Sequence, residues 1–446
     1  MKILLLGEAS FVHSTLRNGF EALGHNVTLV SAGCIWDCPR DIDLSRNMRL
    51  GMLSGLKVIW KILANLRVFI GNDIVQMNDF HTLPLKLGWN KLFFKFVKRY
   101  NKRVVRGCWG DDIVVFDAQA KGVLAYSDTH IGTKAINVEE NKWRIEEQHL
   151  PEFLSCCRYV NKHADAFAAC LYEYYVYYNN AACRSRLHYL PLPIEIPDIK
   201  DIRIKGENWP IKVLVGIQKR RDFIKGASVL ASLVEKIAAE QPDKVEVRKV
   251  YDVPYIEYCK MLEEADVLVD QLYSYTPAMN SLAAMARGTV IIGGGEEEYY
   301  EFIGEKELRP IINVRPQQDD YNLEVLREAL LTHLAFHVNH THAYGELLDV
   351  DANKIAAIGA KAVEQRVAAA VGLQLAKGLY VAFGTQLFHL LGDCGNAQVE
   401  VLGKVGDGAV AVDNVVCEDA LLDECILAAV SDSISKVVMH ILKILL

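Results

Sequence analysis

No stretch of this 446-residue chain runs far enough without charge to cross a bilayer. Met52 to Ile70 comes nearest, and Lys57, Lys61 and Arg67 interrupt it. Nor does the N-terminus read as a secretory leader: the apolar run in Met1-Lys-Ile-Leu-Leu-Leu-Gly7 is short, Glu8 follows at once, and no small-residue cleavage site appears. That opening reads instead as the first buried strand of a parallel sheet. Excess positive charge is also lacking. Forty-nine Lys and Arg stand against 56 Asp and Glu, a net charge of −7, which removes any general pull toward nucleic acid. The 11 cysteines include two close pairs, Cys34/Cys38 and Cys156/Cys157, but no second pair at zinc-site spacing. They read as buried or incidental thiols of a reducing compartment, with no metal expected and a cytoplasmic location. Repeats and low-complexity tracts are absent. What is present is a 51% apolar composition, ample for a sizeable core, in a chain long enough for two to three domains.

The first half alternates strand and helix signals. Lys2 to Leu6, Asn26 to Val30, Asp73 to Met77, Arg103 to Arg106 and Ala164 to Cys170 read as strands, with a helix at Ser14 to Leu23 closed by Gly24. This rhythm argues a doubly wound α/β domain, in which ligands bind beyond the carboxyl ends of the strands. The polar residues expected there are Glu8, Ser10, His13, Asn78, Asp79, His81, Asp111 and Asp112. The aromatic run Leu171 to Tyr178 reads as core packing beside a cleft. Residues 1–195 form this domain, 196–210 a linker, and 211–333 a second α/β domain.

The second domain opens on the most informative segment, Lys212-Val-Leu-Val-Gly-Ile-Gln-Lys-Arg-Arg-Asp-Phe-Ile-Lys-Gly226. A buried strand, Ile211 to Val215, ends at Gly216. A basic loop follows, and Gly226 opens the Ala-rich helix Ala227 to Ala239. A strand emptying into a helix N-terminus presents free backbone N–H groups and a positive dipole end. Arg220 and Lys225 add charge, a combination suited to a diphosphate. An ordinary βα turn with solvated cations is the plainer alternative. Downstream come the strand-like Ala265 to Tyr273, the polar loop Ser274 to Ser281, a short helix Leu282 to Ala286, the strand Thr289 to Ile292 and the glycines Gly293 to Gly295.

Over roughly residues 1–333 the chain resembles the GT-B sugar-nucleotide glycosyltransferases of the retaining family 4 type. That family holds its donor diphosphate with an Arg and a Lys-Gly in the first βα loop of the second domain, the pattern of Arg220 and Lys225-Gly226. Its later motif pairs one glutamate with a downstream Glu-Ala-Met-Ala-x-Gly. Here the frame reads Tyr275 through Ala283-Ala-Met-Ala-Arg-Gly288, so both glutamates are missing. The resemblance implies a cleft between two Rossmann-like domains and a nucleotide-diphosphate sugar as donor, with no cofactor or metal. It implies a saccharide or lipid-linked saccharide acceptor. Gly216, Gln218, Tyr275, Thr276, Asn280 and Ser281 would hold ribose and phosphate, and Tyr251 and Val253 the base. His13 and Asp111 would face the acceptor. Loss of one carboxylate–hydroxyl pair costs about 1.5–3 kcal/mol, so the missing glutamate at Ala283 implies weaker ribose binding. A sugar-nucleotide epimerase of the same fold, or a non-catalytic relic binding sugar or a partner, are the alternatives.

Two further segments stand out. Lys86 to Arg106 carries eight cations and no acid, interleaved with Trp89, Phe93, Phe94, Phe96 and Tyr100. It reads equally as a helix that docks peripherally on an anionic membrane face and as a sheet-packing helix with a basic outer face. After Arg366 there is no arginine, and residues 367–446 hold four lysines against nine acids. A closing helical segment is expected within 334–370. Residues 371–446 read as an added small domain, a partner-binding helix at Ile434 to Leu446, or the product of a shifted reading frame.

Overall fold

The structure is a computed structural model that describes residues 1–34, 38–194 and 209–332, together with Leu334, His337, Val338 and Thr341. Most of the expected linker and closing segment, and the whole tail from 371, lie outside the described residues.

The first domain is a parallel sheet of seven strands: β1 Lys2–Leu6, β2 Asn26–Ser31, β3 Ile42–Asp43, β4 Ile74–Met77, β5 Arg103–Cys108, then β8 Ala166–Ala169 and β9 Leu187–Tyr189 after a small hairpin, β6 His130–Ile131 with β7 Lys134–Ala135. Its order is β3-β2-β1-β4-β5-β8-β9, so the chain switches direction across the sheet between β1 and β4. Helices α1 Val12–Ala22, α2 Gly51–Ala64, α3 Leu87–Tyr100, α4 Ile113–Ala120, α5 Val138–His149, α6 Pro151–His163 and α7 Tyr172–Tyr178 accompany it. The second domain repeats the plan with β10 Ile211–Ile217, β11 Val245–Tyr251, β12 Val267–Val269, β13 Val290–Gly293 and β14 Ile311–Asn313, in the order β11-β10-β12-β13-β14. Here the switch falls between β10 and β12. Its helices are α8 Asp222–Lys225, α9 Ala227–Glu240, α10 Tyr255–Glu264, α11 Met279–Met285, α12 Glu297–Ile303 and α13 Asp319–Leu331.

Apolar residues explain why both sheets are buried on two faces. Ile211, Val213, Val215 and Ile217 of β10 point into a core shared with α9 and α13, while Leu214 points oppositely toward Leu262, Met285 and Tyr300. Side chains alternate across a strand, so a continuous apolar run fills two cores at once.

The basic segment Lys86 to Arg106 takes the sheet-packing role. Phe93, Phe94 and Val97 of α3 are buried against Leu4, Phe69, Val75 and Val104. Several of its cations have partners on neighbouring elements: Lys98 and Arg103 pair with Asp165, Lys102 pairs with Asp73, and Lys91 donates to Ser155 Oγ, while Lys86, Lys95 and Arg99 are exposed. Arg106 is fully enclosed. It bridges Asp112 at 2.8 Å and Asp79 at 3.1 Å and bonds Asn161 Oδ1, with Phe80 and Tyr178 rings on either side. Asp112 in turn caps α4 by accepting from Val114 N and Val115 N. Burial pushes its carboxyl up, but Arg106 and the Tyr178 hydroxyl outweigh this and hold it below its ordinary value. The cysteine pair near the N-terminus also departs from expectation. Cys34 and Cys38, four residues apart in the sequence, form a disulfide.

His13, on the first turn of α1, is buried completely. Its Nδ1 lies 2.7 Å from Gly7 O and its ring meets Trp109 edge-on at 4.8 Å. Burial lowers its pKa from 6.5 to about 4, against the opposing bond to Gly7.

Two outcomes follow for stability. Replacing Arg106 by Met strands two carboxylates in the interior and should lower the unfolding free energy by about 3–5 kcal/mol in urea titrations. A loss under about 1 kcal/mol would show that the network contributes little. For His13, the unfolded chain takes up a proton below about pH 6.5 whereas the folded one resists to about pH 4, so its contribution is lost as pH falls through that window. Wild type should therefore weaken relative to His13→Gln by up to roughly 1.4 kcal/mol per pH unit between pH 6.5 and 4. Parallel pH profiles for the two proteins would contradict a neutral, buried His13.

Candidate functional site

Both chain-direction switches open onto one cavity. It has a volume of about 670 Å³ and is walled on one side by Glu8, Ala9, Ser10 and Phe11 after β1, and on the other by Gly216, Ile217 and Gln218 at the end of β10. Open α/β sheets bind ligands at such switch points, outside the strand carboxyl ends. The geometry therefore follows from the two strand orders.

On the second-domain side the loop after β10 folds into the short helix α8, and Gly226 links it to α9. Gly226 takes φ +68°, and a Cβ there would lie 2.8 Å from Leu272 Cβ, so only glycine fits the turn. This turn brings Lys225 to the cavity beside the N-terminus of the 14-residue helix α9. Asp270, just past β12, organises the floor: it is buried, lies 3.4 Å from Lys225 Nζ, and accepts from Asn280 Nδ2 at 3.2 Å and Ser281 Oγ at 2.5 Å. Asn280 lines the cavity while Ser281 lies beneath it. Gln218 also lines it, and its Oε1 is enclosed with no hydrogen-bond partner among the described residues.

Several cavity residues were not singled out by the sequence. Arg221, rather than its neighbour Arg220, lines the cavity, and Arg220 is exposed outside the lining. Arg287 joins it, held by a 2.7 Å bond from Nη1 to Ala283 O. Its position inside the Ala-Met-Ala-Arg-Gly frame was the available signal. Ala283 faces the cavity with no carboxylate. At the end of β11, Asp252 and Val253 line the cavity, whereas Tyr251 is half-exposed beside Lys219. Tyr258 closes the floor beneath Gly216, where a Cβ would come within 2.8 Å of its ring.

The first-domain wall is a strained turn. Ser10 and Phe11 have φ of 51° and 67°, and Phe11 stacks on Tyr255 of the second domain with ring centroids 4.9 Å apart. Glu8 accepts from the backbone N–H groups of Ala9, His13 and Ser14, so its carboxylate caps α1. His13 lies behind this wall and Asp111 away from it: Arg144 clamps Asp111 with two bonds of 2.8 Å. Asn78, Asp79 and Asp112 gather at the ends of β4 and β5. His81 is half-exposed, 3.6 Å from Asp79.

Tyr275 and Thr276 stand in a joint between the domains rather than on the cavity wall. Glu173 of α7 accepts from Ser274 Oγ at 2.9 Å, Tyr275 N at 2.7 Å, Thr276 N at 3.2 Å and Thr276 Oγ1 at 2.7 Å. Tyr275 Oη accepts from Ala125 N, and its ring stacks on Tyr126 at 4.5 Å. The Tyr126 hydroxyl donates to Glu296, which Arg315 also holds at 2.6 Å. Of the aromatic run, Tyr172 and Tyr175 meet Phe302 of the second domain together with Tyr189, while Tyr177 and Tyr178 are buried in a first-domain core.

No family model and no curated protein matches the chain. Solved structures do. The sucrose-phosphate synthase of Thermosynechococcus elongatus matches at 12% identity, over 88% of this chain and 100% of that one, with a TM-score of 0.50. Anabaena HepE, in complex with UDP and glucose, matches at 12% identity, over 81% and 99% of the two chains, with a TM-score of 0.48. A protein described as a UDP-N-acetylglucosamine 2-epimerase from Listeria monocytogenes matches at 10% identity, over 89% and 97%, with a TM-score of 0.46. At these identities the likeness is one of architecture: two Rossmann-like domains facing across a cleft, the GT-B fold.

Proposed function

We propose that the protein is a glycosyltransferase, moving a hexosyl group from a nucleotide-diphosphate sugar to a saccharide or lipid-linked saccharide in polysaccharide synthesis. The observation that carries this is the grouping of Lys225, Arg221 and Arg287 with the α9 N-terminus at the β10 switch point, facing a second wall of different character. The diphosphate would lie across the Gly216–Gly226 turn. As the glycosidic bond to the diphosphate breaks, negative charge grows on the leaving oxygens, and fixed cations and backbone N–H groups stabilise it without reorganising. Lys225 is held ready by Asp270. These cations do the work of a metal ion, so none is required. The base packs toward Val253 and the ribose toward Asn280 and Ala283. The acceptor enters along Ser10 and Phe11. Closure over both substrates excludes water that would otherwise hydrolyse the donor. Retention of anomeric configuration rests on the family 4 resemblance.

Transfer is favoured over epimerisation by the carboxylates on the wall. Glu8 is committed to three backbone N–H groups, which leaves Asp252 as the other acid lining the cavity. Release of nucleoside diphosphate that depends on added saccharide acceptor marks a transferase. Interconversion of nucleotide sugars with no acceptor present would instead establish the epimerase.

Two substitutions probe the donor site. Lys225→Ala and Arg221→Ala should each lower turnover about a hundredfold with native circular dichroism, while Arg220→Ala, outside the cavity lining, should have a smaller effect. Near-normal turnover in the Arg221/Lys225 double variant would remove the diphosphate from this loop. Ala283→Glu supplies the carboxylate that the cavity lacks there. It should tighten nucleoside diphosphate binding by about tenfold in titration calorimetry, through a charge-assisted bond to ribose. Unchanged or weaker binding would place the ribose elsewhere.

A further inference from the structure

Helix α2 turns an apolar face outward. Met52 is 81% exposed, Leu53 70%, Leu56 55% and Trp60 66%, and Leu50 just before the helix is 53% exposed. Helical spacing puts Met52, Leu56 and Trp60 on one side with Leu53 beside them, while Ser54, Gly55 and Val58 pack inward on the opposite side. A contiguous exposed patch of this kind marks an interaction surface rather than ordinary surface scatter.

Its charge surroundings identify the occupant. From Leu44 to Asn72 the chain has no Asp or Glu but carries Arg46, Arg49, Lys57, Lys61 and Arg67. Arg46 and Lys61 are tied to the protein, bonding Gly51 O and Asp43 O respectively. Arg49, Lys57 and Arg67 are exposed around the apolar face. Bulky apolar side chains that include a Trp, with exposed cations alongside, match the boundary of an anionic bilayer, where the apolar groups enter the acyl region and the cations meet headgroup phosphates. A second copy fits poorly, since a twofold interface would set this acid-free basic patch against itself. Among the described residues no helix is long and apolar enough to cross a membrane, so contact through α2 would lie in the interface plane. We infer that α2, rather than the basic helix α3, docks this protein on anionic membrane surfaces. This inference stands independently of the donor site.

The test is flotation of the full chain with phosphatidylcholine vesicles, with and without phosphatidylglycerol. Wild type should float with the anionic vesicles, and brominated phosphatidylglycerol should quench a fluorescence component that Trp60→Phe removes. The double variant Leu53→Ser/Trp60→Ser and the single Lys57→Glu should each lose about tenfold or more in vesicle partitioning, with unchanged melting because these side chains are exposed. Lys95→Glu on α3 should bind like wild type. Failure of wild type to float would overturn the inference, as would undiminished binding by the α2 variants. Loss on Lys95→Glu alone would move the surface to α3. A dimer that the α2 substitutions dissociate, without any vesicle binding, would replace the lipid with a second copy.

Discussion

One carboxylate holds the two halves of the molecule in register. Glu173, on the last helix of the first domain, accepts four hydrogen bonds from three successive residues, Ser274, Tyr275 and Thr276, of the second. A carboxylate removed from water must be matched by donors, and here backbone and hydroxyl groups supply them. The loop so fixed begins just after Asp270, the group that positions Lys225, Asn280 and Ser281 at the cavity floor. Tyr126 and Glu296, bonded to each other, also donate to the loop carbonyls of Ser274 and Tyr275. The cavity's shape therefore depends on a contact outside it.

That dependence clarifies the electrostatics. A lone lysine on a basic loop is a flexible point charge, whereas Lys225 leans on a buried acid and sits beside a helix N-terminus. Preorganised charge lowers a barrier because it need not rearrange as the reaction proceeds. Arg287 is likewise held by the Ala283 carbonyl, at the position where a glutamate is absent. The balance of the site is thus shifted toward cations, which favours binding of a diphosphate over binding of a neutral sugar.

Local signals in the sequence carried the fold a long way. The β10 strand, the Gly226 turn and helix α9 are readable because continuous apolar runs and a single glycine determine them within a few residues. What stayed hidden depends on distant partners. Tyr275 looks like a sugar-facing side chain until Ala125, Tyr126 and Glu173 are brought against it. Asp111 resembles a catalytic acid until Arg144 clamps it, and Lys98 and Lys102 of the basic segment look free until Asp165 and Asp73 arrive from neighbouring elements. Arg220 and Arg221 are adjacent in the chain, so only backbone direction separates the one lining the cavity from the one outside it. The Cys34–Cys38 pairing was equally invisible, because spacing alone does not distinguish a disulfide from two thiols.

The most direct measurement is a crystal structure of the protein with a nucleoside diphosphate bound. The phosphates should lie at the Gly216–Gly226 turn, within hydrogen-bond reach of Lys225 and Arg221, with the base near Val253. Phosphates held at the first-domain wall, or a nucleotide bound outside this cavity, would contradict the placement of the donor and with it the proposed chemistry.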